Sequence, residues 1–212
     1  MNSLFKFLSK ILILSILANS KSLFATTVLK MDIDQIAIKA ELVFEGEVLL
    51  RESRREPNSG IINTYVTFSI LDVIKGSYGA NTIELKFTGG SIGNEVVEVN
   101  GLLIPAEGEQ GIYFVESINR NLITPLIGWS QGHFIVQEEN GRRIVYTVDN
   151  RPVTDIQSVS SIPPAIKKLS SVIKSDSDVA TGVLVGENQE VITLEEPLLV
   201  EELKSRVLEM IK

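Results

Sequence analysis

Leu42-Val43-Phe44-Glu45-Gly46-Glu47-Val48-Leu49-Leu50 and Tyr65-Val66-Thr67-Phe68-Ser69-Ile70-Leu71-Asp72-Val73-Ile74 decide the fold. In the first run Leu42, Phe44, Val48 and Leu50 share one face, and Val43, Glu45, Glu47 and Leu49 share the other. In the second, Val66, Phe68, Ile70 and Ile74 lie opposite Tyr65, Thr67, Ser69, Leu71 and Val73. Side chains that alternate in twos suit a strand with one buried face and do not suit a helix. The pattern predicts strands over 41–51 and 64–75. Gly46 falls in the inward row, where a glycine marks the bulge or bend that coils a strand around a small barrel.

Working outward, residues 31–39 read as a short helix with Asp32 and Asp34 at its positive end. Residues 52–63 hold Arg54, Arg55 and Pro57-Asn58-Ser59-Gly60 and read as a protruding loop. Alternation predicts further strands at 82–87, 95–99, 111–117 and, less regularly, 122–127. A hairpin at 133–137 and 143–148 turns at Asn140-Gly141. Residues 154–161 read as a polar linker, 163–173 as a helix and 175–189 as loop. Thr193-Leu194-Glu195-Glu196 reads as a capping box for an amphipathic helix over 199–211.

The 212 residues are 44% hydrophobic and 22% charged, an ordinary globular composition. Residues 1–25 have the form of a secretory signal peptide: Lys6 and Lys10, a short apolar run at 11–18, and Ala25 at the cleavage position. The expected divisions are a signal peptide (1–25), a β domain (26–148), a linker (149–161) and a helical extension (162–212). The expected location is the periplasm or the cell exterior. The formal charge is −7, and losing the leader lysines makes the remainder more negative. Such a surface repels phosphate backbones, so nucleic-acid binding is disfavoured. No later apolar run reaches the roughly 20 residues of a membrane span.

The chain has no cysteine, which excludes thiol catalysis, disulfides and thiolate metal ligands. His133 is the sole histidine, too few for an ordinary zinc site and the required base of any serine triad. No catalytic, metal or cofactor residues are assigned. Glu45 and Glu47 have the spacing of a carboxylate pair, but that spacing is almost non-specific and a solvated strand face accounts for them better. Asp176-Ser177-Asp178 is a fragment of a calcium loop without its glycine. Thr88-Gly89-Gly90-Ser91 lacks the following helix and lysine of a phosphate loop.

Ala40-Glu41-Leu42-Val43-Phe44-Glu45-Gly46-Glu47-Val48, Val66-Thr67-Phe68, Val73-Ile74-Lys75-Gly76 and Gly108-Glu109-Gln110-Gly111-Ile112-Tyr113-Phe114-Val115 follow one another in an order that resembles netrin-like domains. These are the OB-type barrels that include tissue inhibitors of metalloproteases. The same order, with Gln131-Gly132-His133-Phe134, is similar to cysteine-free bacterial secreted proteins of unassigned function. The resemblance implies a mainly β, OB-like Greek-key barrel and a protein-binding role. Those inhibitors chelate the protease zinc through an N-terminal cysteine, whereas the expected mature terminus here is Thr26-Thr27-Val28. Only the Thr26 amine and hydroxyl would be offered to a metal.

Three functions follow as expectations. The first is a non-catalytic exported module that binds a protein, such as a secreted hydrolase or metalloprotease. It would use Thr26, Arg51, Arg54, Arg55, Gly89, Gly90, Trp129 and His133. The second is a hydrolase using Glu45 and Glu47. The third is an envelope protein that assembles through its C-terminal helix.

Overall fold

The computed structural model describes residues 28–159, 172–173, 179–186 and 196–212. The leader, Thr26, most of the helix expected at 163–173, the Asp176-Ser177-Asp178 stretch and Thr193-Leu194-Glu195 lie outside the described residues. The elements in chain order are β1 (Val28–Leu29), α1 (Ile33–Lys39), β2 (Leu42–Arg55), β3 (Ile62–Lys75), β4 (Thr82–Thr88), β5 (Gly90–Ile92) and β6 (Glu95–Val97). There follow β7 (Gln110–Val115), a single 3-10 turn (Trp129–Gly132), β8 (His133–Glu139), β9 (Arg142–Thr147), β10 (Val153–Ile156), β11 (Val172–Ile173), β12 (Val183–Val185) and α2 (Val200–Met210).

Six strands form one antiparallel sheet in the order β4-β3-β2-β7-β8-β9. Among the described residues no ladder joins β4 to β9, so the expected mainly β sheet is present but its hydrogen bonding does not close it into a barrel. The β9 edge has partners along its length, and the β4 edge has one at its end. Val145 and Thr147 of β9 donate to the carbonyls of Leu198 and Arg151, and Thr88 of β4 donates to Ile123. An edge whose backbone groups are satisfied elsewhere, as on β9, has no ladder left to offer.

Both faces of the sheet centre are buried. On one face Val43, Ile112, Phe114, Phe134, Val136 and Val145 meet Ile33, Ile36 and Ala37 of α1 and Leu203 and Val207 of α2. On the other, Phe44, Val66, Phe68, Leu85, Phe87, Tyr113 and Leu126 form a second cluster. There Phe44, Phe68 and Tyr113 make a ring triad with centroids 4.7–5.5 Å apart, close enough for favourable edge contacts. β2 shifts register against β3 at Val43/Phe44, Glu45/Gly46 and Val48/Leu50. A Cβ on Gly46 would sit 2.7 Å from the Ser69 carbonyl, so only glycine fits this bend.

The Lys75-Gly76 pair has a structural role. Lys75 Nζ donates to the carbonyls of Ala37, Ile38 and Ala40 at 2.6–2.7 Å. These carbonyls close α1, where the helix dipole favours a cation. Gly76 has φ +88°, and a Cβ there would meet the Glu41 carbonyl at 2.5 Å.

Several expected boundaries move. The loop over 52–63 is mostly ladder, pairing out to Arg55↔Ile62 and leaving a turn at 56–61. The expected linker contains β10, which pairs with β12 inside the stretch read as loop. The last two residues of the helix expected at 163–173 are β11, paired with β1. Residues 122–127 make one bridge, Val115↔Leu126, rather than a strand. The C-terminal helix starts at Val200, and the Leu199 N–H donates to Glu202 at 3.0 Å. Its Val200, Leu203 and Val207 are buried against the sheet.

Candidate binding groove

β7 accompanies β2 only as far as Glu47↔Gln110. The last links are Val48 N–H to the Glu109 carbonyl and Gly108 N–H to the Val48 carbonyl, both 2.9 Å. Past that point, among the described residues, β2 runs on with β3 alone. β5 crosses the inner face of this two-stranded extension, and Ser53 and Thr64 receive it. Thr64 Oγ1 donates to the Gly89 carbonyl at 2.7 Å, and the Ser91 N–H donates to Ser53 Oγ at 3.3 Å. Gly90 has φ +134°, and a Cβ there would lie 2.4 Å from both hydroxyl oxygens. The glycine pair is therefore a close-approach device.

An open groove of about 760 Å³ lies between this floor and a wall made by β6 and residues 98–104. Arg51, Ser53, Thr64, Gly89 and Gly90 line one side; Val96, Val97, Leu102 and Ile104 line the other. Val96 is 63% exposed. Glu107 closes one end, accepting a 2.9 Å hydrogen bond from the Arg51 backbone N–H. Three of the expected partner residues, Arg51, Gly89 and Gly90, thus meet in one place. Arg54 lies on the opposite face, paired with Glu52 at 2.6 Å and Glu84 at 3.2 Å and stacked 4.5 Å over the Tyr65 ring. Hydrogen bonds to these carboxylates raise its pKa. Arg55 pairs with Glu95 at 2.8 Å and ties the hairpin tip to β6. Both are exposed pairs of small energetic weight.

Trp129 and His133 lie elsewhere. Trp129 lines a second cleft of about 670 Å³ with Leu29, Met31 and Ile123, at φ +61°. Gln131 holds that region together: its Oε1 accepts from Met31 N at 2.8 Å, and its Nε2 donates to the carbonyls of Leu29 and Gly128. His133 is 3% exposed, stacked 5.1 Å from the Tyr113 ring, with Nε2 2.7 Å from Glu109 Oε1. Tyr113 OH donates to the same oxygen at 3.2 Å. Burial pushes the Glu109 pKa up, but the His133 hydrogen bond and charge, with hydrogen bonds from the Ala106 N–H and Tyr113, together hold the carboxyl below its usual value. Burial, then the Glu109 charge, pushes the Tyr113 phenol far up. His133 Nδ1 is buried without a hydrogen-bond partner among the described residues. This cluster fastens the 106–109 turn to β7 and β8.

The carboxylates singled out by spacing have different environments. Glu45, 2% exposed, is ion-paired to Arg143 and to Lys204, the latter at 2.7 Å; Lys204 also meets Asp72 at 2.9 Å. Glu47 accepts a 3.3 Å hydrogen bond from Gln110. Glu45 thus fixes α2 to the sheet. Among the described residues, no group of three or more His, Asp or Glu is placed to hold a metal. None of their helices is long and apolar enough to cross a membrane. Sequence reasoning missed Ser53, Thr64, Glu107 and Lys204. The only sequence signal for Glu107 was its place just before Gly108-Glu109.

No family model, curated protein or solved structure matches this chain.

Proposed function

We propose that this chain is an exported, non-catalytic module that binds a partner protein in the groove beside Arg51, Gly89 and Gly90, on an OB-like Greek-key scaffold. The groove is the observation that carries the reading: an open, hydroxyl-floored channel at the end of the sheet, with exposed Val96 and Val97 on its far side. Binding residues on loops held by such a scaffold are the common arrangement. The spatial order β7-β2-β3-β4 supports the scaffold reading, since three hairpin-connected strands and a fourth beside the first make a Greek key. A partner that is a secreted hydrolase or metalloprotease is the narrower form of the same proposal. The Glu45/Glu47 hydrolase gains nothing from the geometry, because Glu45 is engaged by two cations.

The test is affinity capture from the cell envelope of the source organism, with the wild-type chain and a Val96→Arg/Val97→Arg variant. Both side chains are exposed, so the variant should keep its fold. A protein retained by the wild type and lost by the variant is expected. Equal retention by both would overturn the groove reading.

A further inference from the structure

We infer that the groove takes an extended peptide segment of its partner, added as a strand to the open edge of β2 beyond Val48. The inference rests on the binding reading above and goes further by naming the chemistry of the partner.

A strand edge is a row of backbone donors and acceptors, and its natural complement is another extended backbone. Among the described residues β2 has two ladder neighbours up to Glu47 and one thereafter. From Leu50 to Arg55 its pairing with β3 is regular, without a register shift. In an antiparallel ladder alternate residues turn both backbone groups to the same side. The Arg51 N–H points away from β3, because it reaches Glu107 Oε1 at 2.9 Å. Ser53 and Arg55, two and four residues on, therefore share that outward direction, while Leu50, Glu52 and Arg54 face β3. The outward groups border the groove, where Arg51 and Ser53 are lining residues.

The groove then supplies what a bound strand needs on its side chains. Val96, Val97, Leu102 and Ile104 give the far side of the same channel apolar positions, interleaved with Glu98 and Asn100. A peptide paired with β2 would present every second side chain to that side. The fitting ligand is an extended segment with apolar residues at alternate positions. Glu107 has a double part. Its carboxylate blunts the edge by capping one donor, the way charged side chains guard edges against indiscriminate pairing. It must also swing aside when a peptide backbone takes the Arg51 N–H.

The experiment uses a phage-displayed library of random octapeptides panned against the full chain lacking the leader, with selected peptides resynthesised. Each is scanned with single N-methyl groups while amide hydrogen exchange is followed on the protein. N-methylation should weaken binding about tenfold at every second position and little between, since one lost backbone hydrogen bond costs about 1–1.5 kcal/mol. Exchange should slow at Arg51 and Ser53, with Leu50 and Glu52 unchanged. Glu107→Ala should tighten binding severalfold. A flat N-methyl scan, unprotected Arg51 and Ser53 amides, or a selection that yields no peptide would overturn strand addition. Groove-dependent capture of a folded partner alongside any of these results would leave the binding reading standing. A dimer in light scattering that protects the same amides would assign the edge to a second copy and overturn the peptide reading.

Discussion

Replacing Lys204 by methionine isolates what holds the C-terminal helix to the sheet. The side chain is 12% exposed and its ammonium lies 2.7 Å from a carboxylate that is 2% exposed. At an effective dielectric of about 20 that contact is worth roughly 6 kcal/mol of gross attraction, much of it offset by the cost of drying both ions. Methionine keeps the apolar stem and removes the charge. Glu45 would keep Arg143 as a partner, so the loss should fall at the low end for a broken buried pair, about 3 kcal/mol. Urea unfolding, followed by circular dichroism, should show a lower midpoint with an unchanged slope. Glu45→Gln in the same background should recover part of the loss, because the buried carboxylate no longer needs a cation. The expected coupling is about 1–2 kcal/mol. A Lys204→Met midpoint within about 0.5 kcal/mol of wild type, or strictly additive single and double variants, would refute the pairing as the helix anchor.

Other consequences are checked by similar means. Lys75→Met removes three hydrogen bonds to the end of α1; it should cost about 2 kcal/mol and lower Tm by roughly 4–8 °C in calorimetry, and an unchanged Tm would contradict the capping role. Gly90→Ala puts a Cβ at 2.4 Å from Ser53 and Thr64 hydroxyls at a positive φ; a loss of about 2–3 kcal/mol in chemical unfolding is expected. The Glu109 carboxyl is held below its ordinary value of 4.5 in the fold. Its contribution to stability is therefore complete above that value and disappears as pH falls through the lower folded one. His133→Gln should flatten this acid limb in a pH series of unfolding midpoints, and an identical limb in both proteins would count against the contact.

The strands were legible wherever alternation is undiluted. Phe44, Phe68, Ile83, Leu85 and Phe87 all point where the period of two places them, into one cluster. The Asn140-Gly141 turn and the Gly46 bend were also visible, because they depend on local backbone geometry. Polar strands were not visible. Residues 52–55 carry no apolar pattern and are strand only because β3 continues opposite them. Val153-Thr154-Asp155-Ile156 is too short to display a period and is strand only because β12 lies beside it. The same limit hid most of the groove. Arg51 and the glycine pair could be marked by residue type, but Ser53, Thr64 and Glu107 acquire meaning from pairings between distant segments. Glu45 looked like half of a catalytic pair because nothing local reveals that Lys204 will arrive beside it.

β2 sits at the middle of the sheet, yet only its hairpin partner is nearby in the chain; its other neighbour pairs Leu42 with Val115. While the polypeptide is being made, the β2–β3 hairpin is complete long before β7 emerges. During that interval the whole flank of β2, from Leu42 through Arg55, is an unsatisfied ribbon carrying Phe44 and Val48. Closing so long a loop is slow, and a bare ribbon invites mispairing with neighbouring chains. Newly made copies should thus depend on a holding chaperone until residue 115 has been delivered, and nascent chains cut short before it should aggregate.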